Sequence, residues 1–219
     1  MVDWLIIGTT SASAEIIGAT GNSVFIWWFR RSFDFRGIVV CAALENRANI
    51  AHGCNSIIAT QAALEMSDIT VTEAGFGSDL GGEKFMDIAA PAIGKRPDVV
   101  VVVATIRALK LNGGQDAKEL KHEDLAALKT GVVNLKRHVQ NMQQFGQPVV
   151  VGINKFATDS SAEVNFLHQY VADELHVAIA EVDCFSEGGK GAVDLANLVI
   201  ENSETAFAPQ NIYDADDSL

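Results

Sequence analysis

Cysteine and proline are scarce in this 219-residue chain, which has three cysteines and four prolines. Cys41, Cys54 and Cys184 form no C-x-x-C pair and no Cys/His cluster with the spacing of metal ligands. A disulfide framework or a structural zinc site would need such a pattern. We therefore expect reduced thiols, as in a cytoplasmic protein, and no metal site.

Positive charge is also scarce, since 16 lysines and arginines face 28 aspartates and glutamates, giving a net charge of −12. Such a chain has no overall attraction for nucleic acid or an anionic membrane, and we expect neither as a partner. The apolar run Val24–Phe29 is far shorter than the roughly 20 residues of a membrane-spanning helix and predicts a buried strand. No basic segment precedes Trp4–Ile7, so a signal peptide is not predicted.

The phosphate-binding motif of P-loop proteins, G-x-x-x-x-G-K-[ST], does not occur in the chain. Gly94-Lys95 and Gly189-Lys190 lack the following hydroxyl residue that would hold magnesium. The segment Glu73–Gly82 has the spacing G-x-G-x-x-x-G, which differs from the dinucleotide fingerprint and disfavours a dinucleotide-dependent oxidoreductase. Asn154-Lys155 begins like the Asn-Lys-x-Asp loop of GTPases, but residue 157 is alanine.

The first 47 residues differ in composition from the rest. They contain four acidic and four basic residues and all three tryptophans. The remaining residues carry the whole net charge of −12 and all four prolines. We therefore divide the chain into an N-terminal segment, 1–47, and an α/β part, 48–219.

Strand and helix patterns alternate after residue 47. Short β-branched or valine-rich runs predict strands at Ile69–Thr72, Val99–Val103, Pro148–Ile153 and Val177–Val182. Apolar periodicity and end signals predict helices at Cys54–Met66, Glu83–Ile88, Glu123–Phe145, Ser160–Leu175 with a capping box at Ser160 and Glu163, and Ala192–Thr205. Because two strands are entirely apolar, we expect a Rossmann-like α/β fold with a mostly parallel sheet covered by helices on both faces.

Four predicted loops follow the strands at the carboxyl edge of this sheet, where α/β proteins bind ligands. In the first loop, Gly75 and Gly77 allow close backbone approach to a ligand. Phe76 between them is better placed to face a flat ligand than to pack its own turn. The four loops are Glu73–Gly82, Ala104–Gly114, Asn154–Asp159 and Asp183–Gly191.

His52 is a candidate catalytic residue, because it lies beside a glycine just before a predicted helix. An imidazole there could bind an anion or act as an acid or base near neutral pH, although a capping or packing role is the alternative. Cys54 fits a buried thiol better than a nucleophile. The other four histidines, His122, His138, His168 and His176, lie in polar helical contexts and are predicted to be on the surface.

Five long motifs stand out in the part of the chain after residue 47. They are Asn49–Ser56, Thr72–Phe85, Val103–Lys110 with Gly113-Gly114, Pro148–Asp159 and Gly188–Gly191. These motifs closely resemble those of formate–tetrahydrofolate ligase (10-formyltetrahydrofolate synthetase), in the order that family has them. The resemblance covers residues 48 to about 213 and is to the central portion of that enzyme.

The resemblance implies a reaction and its partners. The family joins formate to N10 of tetrahydrofolate with ATP, by way of formyl phosphate. Magnesium accompanies ATP, a monovalent cation assists, and bacterial members are usually homotetramers. The expected partners are therefore tetrahydrofolate, formate, ATP and further copies of the chain.

The resemblance also implies folate-binding residues. The family holds the pterin between aromatic rings, and Phe76 and Phe156 match two of those positions. The third position is a tryptophan in the family and Phe185 here, which keeps a stacking face but loses the indole N–H. Glu73, Asn154 and the backbone of Gly75, Gly77, Gly188 and Gly189 complete the predicted site as candidate polar groups.

Two departures from the family pattern bear on activity. The P-loop of the family lies upstream of the matching region, where residues 1–47 do not align. Family members are also much longer, so the chain is expected to be truncated, its ATP site incomplete and its ligase activity impaired. The alternatives are a non-catalytic folate-binding remnant, or one part of a split ligase with a companion segment.

Overall fold

The computed structural model describes residues 3–9, 39–40, 57–74 and 77–213, and these contain a six-stranded sheet. The strands are ordered β2-β3-β1-β4-β5-β6 across it. β1 pairs antiparallel with both of its neighbours, whereas the other strands all run in one direction. The strands are β1 (Asp3–Thr9), β2 (Val39–Val40), β3 (Ile69–Glu73), β4 (Val99–Ala104), β5 (Val149–Asn154) and β6 (Ala178–Val182).

Helices connect the parallel strands. The α-helices are α1 (Ile57–Met66), α2 (Ala90–Ile93), α3 (Ile106–Asn112), α4 (Leu125–Gln144), α5 (Ser161–Tyr170), α6 (Cys184–Glu187) and α7 (Val193–Ser203). Wider π-helical turns occupy Gly77–Gly82, Phe85–Ala89 and Val171–Leu175, and a 3₁₀ turn occupies Gly188–Ala192.

Buried side chains cover both faces of the sheet. Alternate valines of β4 face opposite sides, so Val100 and Val102 join one apolar cluster and Val99 and Val101 the other. The first cluster packs against α2, α4 and α5, and the second packs against α7. The predicted α/β fold, mostly parallel and covered on both faces, is therefore confirmed.

Local signals account for the elements that the sequence predicts. The Ser160 side chain accepts a hydrogen bond from Glu163 N–H at 3.2 Å and the Glu163 carboxylate accepts one from Ser160 N–H at 3.1 Å, so the capping box is formed. Asp124 caps α4 by accepting from Ala127 N–H at 2.9 Å. The four predicted strands of the α/β part are present within one or two residues of their predicted ends.

Three of the predicted loops contain helices. The Ala104–Gly114 prediction missed α3, where Thr105 accepts from Ala108 N–H at 3.1 Å and the first-turn Ile106 is buried. Residues 77–82 of the glycine segment form a π-helical turn rather than a loop. The loop predicted after β6 contains α6 and the 3₁₀ turn. These segments were predicted to be loops because they follow strands, and two of them are rich in glycine.

Two of the predicted elements fall wholly or partly outside the described residues, namely the strand at Val24–Phe29 and residues 54–56 of the first predicted helix. β1 lies within the N-terminal segment 1–47, and its residues Asp3–Ile7 pair with Val103–Val99 of β4.

Candidate functional site

The carboxyl ends of β3, β4, β5 and β6 lie along one edge of the sheet, because these strands are parallel to one another. The strands end at Glu73, Ala104, Asn154 and Val182. The segments that follow them therefore share this edge, as expected for a ligand site in a parallel sheet.

The segment after β5 is a tight turn that carries Phe156. Lys155 N–H donates to the Val182 carbonyl at 3.0 Å, which extends the pairing of β5 with β6. Phe156 N–H donates to Asp159 Oδ2 and Asp159 N–H donates to the Phe156 carbonyl, both at 2.9 Å. These hydrogen bonds fix the backbone conformation at Phe156, whose ring is half-buried.

Arg107 lies over the ring of Phe156. Its guanidinium carbon is 4.0 Å from the ring centroid, within the range of a cation–π contact. Its Nη2 donates to Thr158 Oγ1 at 2.7 Å. Because Arg107 is in the first turn of α3, it joins the segment after β4 to the turn after β5.

Phe185 follows the neighbouring strand and is 87% exposed. It lies in α6, which Asp183 caps by accepting from Ser186 N–H at 3.1 Å. Asp183 N–H also donates to the Gly191 carbonyl at 3.0 Å, closing the glycine-rich turn onto the end of β6. A Cβ at position 191 would lie 2.3 Å from the Asp183 carbonyl oxygen, so only glycine fits there. The fold therefore leaves the large apolar ring of Phe185 exposed to solvent.

The described part of the segment after β3 is attached to α4. Ser78 is buried, and its Oγ lies 2.6 Å from Nδ1 and 3.2 Å from the carbonyl oxygen of His138. The His138 side chain is only 12% exposed, so the prediction of a surface position for it was wrong. Burial lowers the pKa of His138, although Asp79, at 3.8 Å, acts in the opposite direction.

Lys155 is paired rather than free at this edge. Its Nζ lies 2.7 Å from Glu181 Oε2, and the hydrogen bond raises the pKa of Lys155. The other oxygen of Glu181 lies 3.3 Å from His168 Nε2. The positive charge of Lys155 is therefore largely neutralised by a residue of β6.

Comparison with known proteins now identifies the family. The family model described as formate–tetrahydrofolate ligase matches residues 45–219. This chain belongs to the formate–tetrahydrofolate ligase family.

Curated relatives support the assignment over the same region. Formate–tetrahydrofolate ligase 2 of Lactobacillus acidophilus is 51% identical over 172 residues, which cover 78% of this chain and 31% of the relative. The ligase of Lactiplantibacillus plantarum is 53% identical over 171 residues, covering 77% and 31%. The ligase of Staphylococcus aureus is 57% identical over 164 residues, covering 74% and 29%. The chain thus spans less than a third of the length of these ligases.

The structure brings some of the predicted site residues of this ligase-family chain to one edge. Phe156, Phe185, Gly188 and Gly189 follow the adjacent strands β5 and β6, and Gly77 opens the helical turn after β3. Glu73 is the last residue of β3. His52, Gly75 and Phe76 lie outside the described residues.

The sequence does not predict two of the contacting residues. Arg107 lies within the family motif Val103–Lys110, but no pattern indicates its contact with a residue 49 positions later. Lys110 is fully buried beside Glu163, although a lysine in a predicted loop reads as a solvent-exposed residue. The available signal for a short helix there was the pair of apolar residues Ile106 and Leu109, three positions apart, after the capping residue Thr105.

The described residues contain neither a grouped metal site nor a helix that could span a membrane. Within residues 57–74 and 77–213, no three or more His, Cys, Asp or Glu side chains are grouped so that they could hold a metal ion. No helix in the described part of the chain is both long and apolar enough to cross a membrane.

Proposed function

We propose that this chain carries the tetrahydrofolate-binding part of a formate–tetrahydrofolate ligase. The observation that carries the proposal is the position of Phe156 and Phe185 after two adjacent parallel strands, with Phe185 87% exposed. A flat, mostly apolar pterin needs aromatic walls and a few polar groups. Burying a phenylalanine side chain stabilises by about 1.5–3 kcal/mol, so a ligand ring that covers Phe185 would gain binding free energy of this order.

The polar groups of the proposed site come from the same edge. Glu73 ends β3 and Asn154 ends β5. Together with the backbone N–H groups of residues 75–77, they are the candidates for hydrogen bonds to the pterin. Gly188, with φ of +60°, and Gly189 provide a backbone surface beside Phe185.

The reaction that we assign to the complete site is the ATP-dependent ligation of formate to tetrahydrofolate. ATP phosphorylates formate, the N10 amine attacks the carbonyl carbon of formyl phosphate, and phosphate leaves. His52 is proposed as an acid or base in this site. The cytoplasm and a homotetramer remain predictions, and sedimentation of the purified chain tests the tetramer.

We infer that these 219 residues alone catalyse phosphoryl transfer poorly. Phosphoryl transfer depends on groups that position the phosphates and clamp their charge, and no G-x-x-x-x-G-K-[ST] motif is present. We therefore infer that the chain alone binds tetrahydrofolate without making product. A non-catalytic remnant or one part of a split ligase is the second candidate function.

Calorimetric titration of the purified chain with tetrahydrofolate and, separately, with ATP tests this proposal. We expect heat of binding with tetrahydrofolate and none with ATP. An assay with formate, ATP and tetrahydrofolate should then give no 10-formyltetrahydrofolate. Formation of product would contradict the inference about phosphoryl transfer, and absence of tetrahydrofolate binding would contradict the folate site.

A further inference from the structure

Arg107 and Phe156 come together from different elements at the carboxyl edge. β4 and β5 are adjacent and parallel, with Ala104 paired to Ile153. α3 begins directly after β4, so the side chain of its second residue, Arg107, lies beside the turn that follows β5. The topology therefore brings together two residues that are 49 positions apart.

The guanidinium covers one face of the phenylalanine ring. The distance of 4.0 Å to the ring centroid is that of a stacked contact. Within the described residues, Arg107 Nε is buried and has no hydrogen-bond partner, whereas Nη2 donates to Thr158. The position of the guanidinium thus depends on the ring and on one hydroxyl group of the same turn.

The turn itself has a second attachment. Asp159 accepts a hydrogen bond from the Phe156 N–H. Burial raises the pKa of Asp159, whereas the positive charge of Arg107 lowers it. Arg107 therefore contacts the ring directly, bonds to Thr158 and interacts electrostatically with Asp159. All three partners lie within four residues.

We propose that Arg107 is a positioning residue for the folate wall, holding Phe156 from behind so that only the opposite ring face is left for a pterin. That the ligand is a pterin rests on the proposed function, whereas the contact between Arg107 and Phe156 does not. Prior ordering of the turn lowers the conformational entropy that would be lost on binding, so it should increase affinity.

Arg107→Met tests the assignment, because it keeps a stem of similar length and removes the guanidinium. We expect amide hydrogen exchange at Phe156, measured by NMR, to become about threefold faster or more, and tetrahydrofolate to bind about three- to tenfold more weakly. Arg107→Lys should restore only part of the affinity, since an ammonium lacks the planar stack.

Arg96 provides a matched control. Its guanidinium carbon lies 5.9 Å from the ring centroid of Phe145, but it precedes β4 and is therefore at the opposite edge of the sheet. Arg96→Met should leave both Phe156 amide exchange and tetrahydrofolate affinity unchanged. Thermal melts of each variant correct for any general loss of stability.

A double-mutant cycle distinguishes positioning from direct contact with the ligand. If Arg107 acts through Phe156, Arg107→Met should change affinity less than about twofold in a Phe156→Ala background. An undiminished effect in that background would mean that the guanidinium contacts the ligand itself and would overturn the assignment. Unchanged Phe156 amide exchange in Arg107→Met would also overturn it, even if the chain binds no tetrahydrofolate and the proposed function fails.

Discussion

Lys110 and Glu163 form an ion pair that is completely buried, with Nζ 2.9 Å from Oε1. Lys110 also donates to the His122 carbonyl at 2.7 Å, and the Glu163 carboxylate accepts from Asp124 N–H at 3.0 Å and from Ser160 N–H. Burial alone would raise the pKa of Glu163, but the hydrogen bonds from Lys110 and the two backbone groups lower it overall. The pair therefore joins α3 to the beginnings of α4 and α5.

Lys110→Met should destabilise the fold strongly. It leaves the Glu163 carboxylate buried without its cation, which costs about 3–5 kcal/mol for a buried pair. Urea unfolding at pH 7 measures the change. The double variant Lys110→Met/Glu163→Leu should be less destabilised than the single one, and the opposite order would contradict this account of the pair.

The pKa of His138 provides a second prediction at the residue scale. Because its pKa in the folded chain is below the ordinary 6.5, the folded state resists protonation that the unfolded chain accepts. The stability that depends on neutral His138 should be complete above pH 6.5 and be lost as the pH falls below it. An NMR titration should give a pKa below 6.5, and Asp79→Asn should lower it further. A pKa at or above 6.5 would contradict the buried position.

Helices α3 and α4 pack closely against each other. A Cβ at Gly131 of α4 would lie 1.8 Å from the Leu109 carbonyl oxygen of α3, and one at Gly113 would lie 1.8 Å from the Ala127 carbonyl oxygen. The two backbones approach so closely that glycine is required on each side. This contact fixes the orientation of α3, which carries both Arg107 and Lys110.

Gly131→Ala should therefore destabilise the chain, although alanine usually stabilises a helix relative to glycine. The added methyl group must push α3 and α4 apart, at a cost of about 1–3 kcal/mol. Asn134→Ala, at an exposed position of the same helix, is the control and should change stability little. Both are measured by urea unfolding. A stabilised Gly131→Ala would show that the helices separate freely.

The sequence predicted those elements whose own residues carry the signal. Five consecutive valines predict β4, and the Ser160–Glu163 capping box predicts the start of α5. α3 was missed because it has only seven residues, followed by two glycines, and depends on packing against α4. Likewise, the aromatic residues of the candidate site could be placed after their strands, but the Arg107 contact joins residues distant in sequence. Such contacts exist only once the sheet brings its strands together.

At the scale of the whole molecule, the chain presents an α/β sheet whose carboxyl edge carries Phe156 and Phe185, the two residues that we propose bind the pterin. The match covers residues 45–219, and the charge imbalance of −12 also falls after residue 47. The region of family resemblance and the acidic region therefore nearly coincide. The central claim is that Phe185, which the fold leaves 87% exposed, serves a ligand rather than the core.

The affinity of Phe185→Ala for tetrahydrofolate tests this claim most directly, because removing an exposed side chain should not unfold the protein. Stacking on an aromatic ring is worth about 1–3 kcal/mol, so calorimetry should show binding weakened by about fivefold or more, with an unchanged melting temperature. Ile58→Ala, at a 79% exposed apolar position, is the control and should bind as the unmodified chain does. Phe185→Trp should strengthen binding. Equal affinity of Phe185→Ala and the unmodified chain would contradict the account.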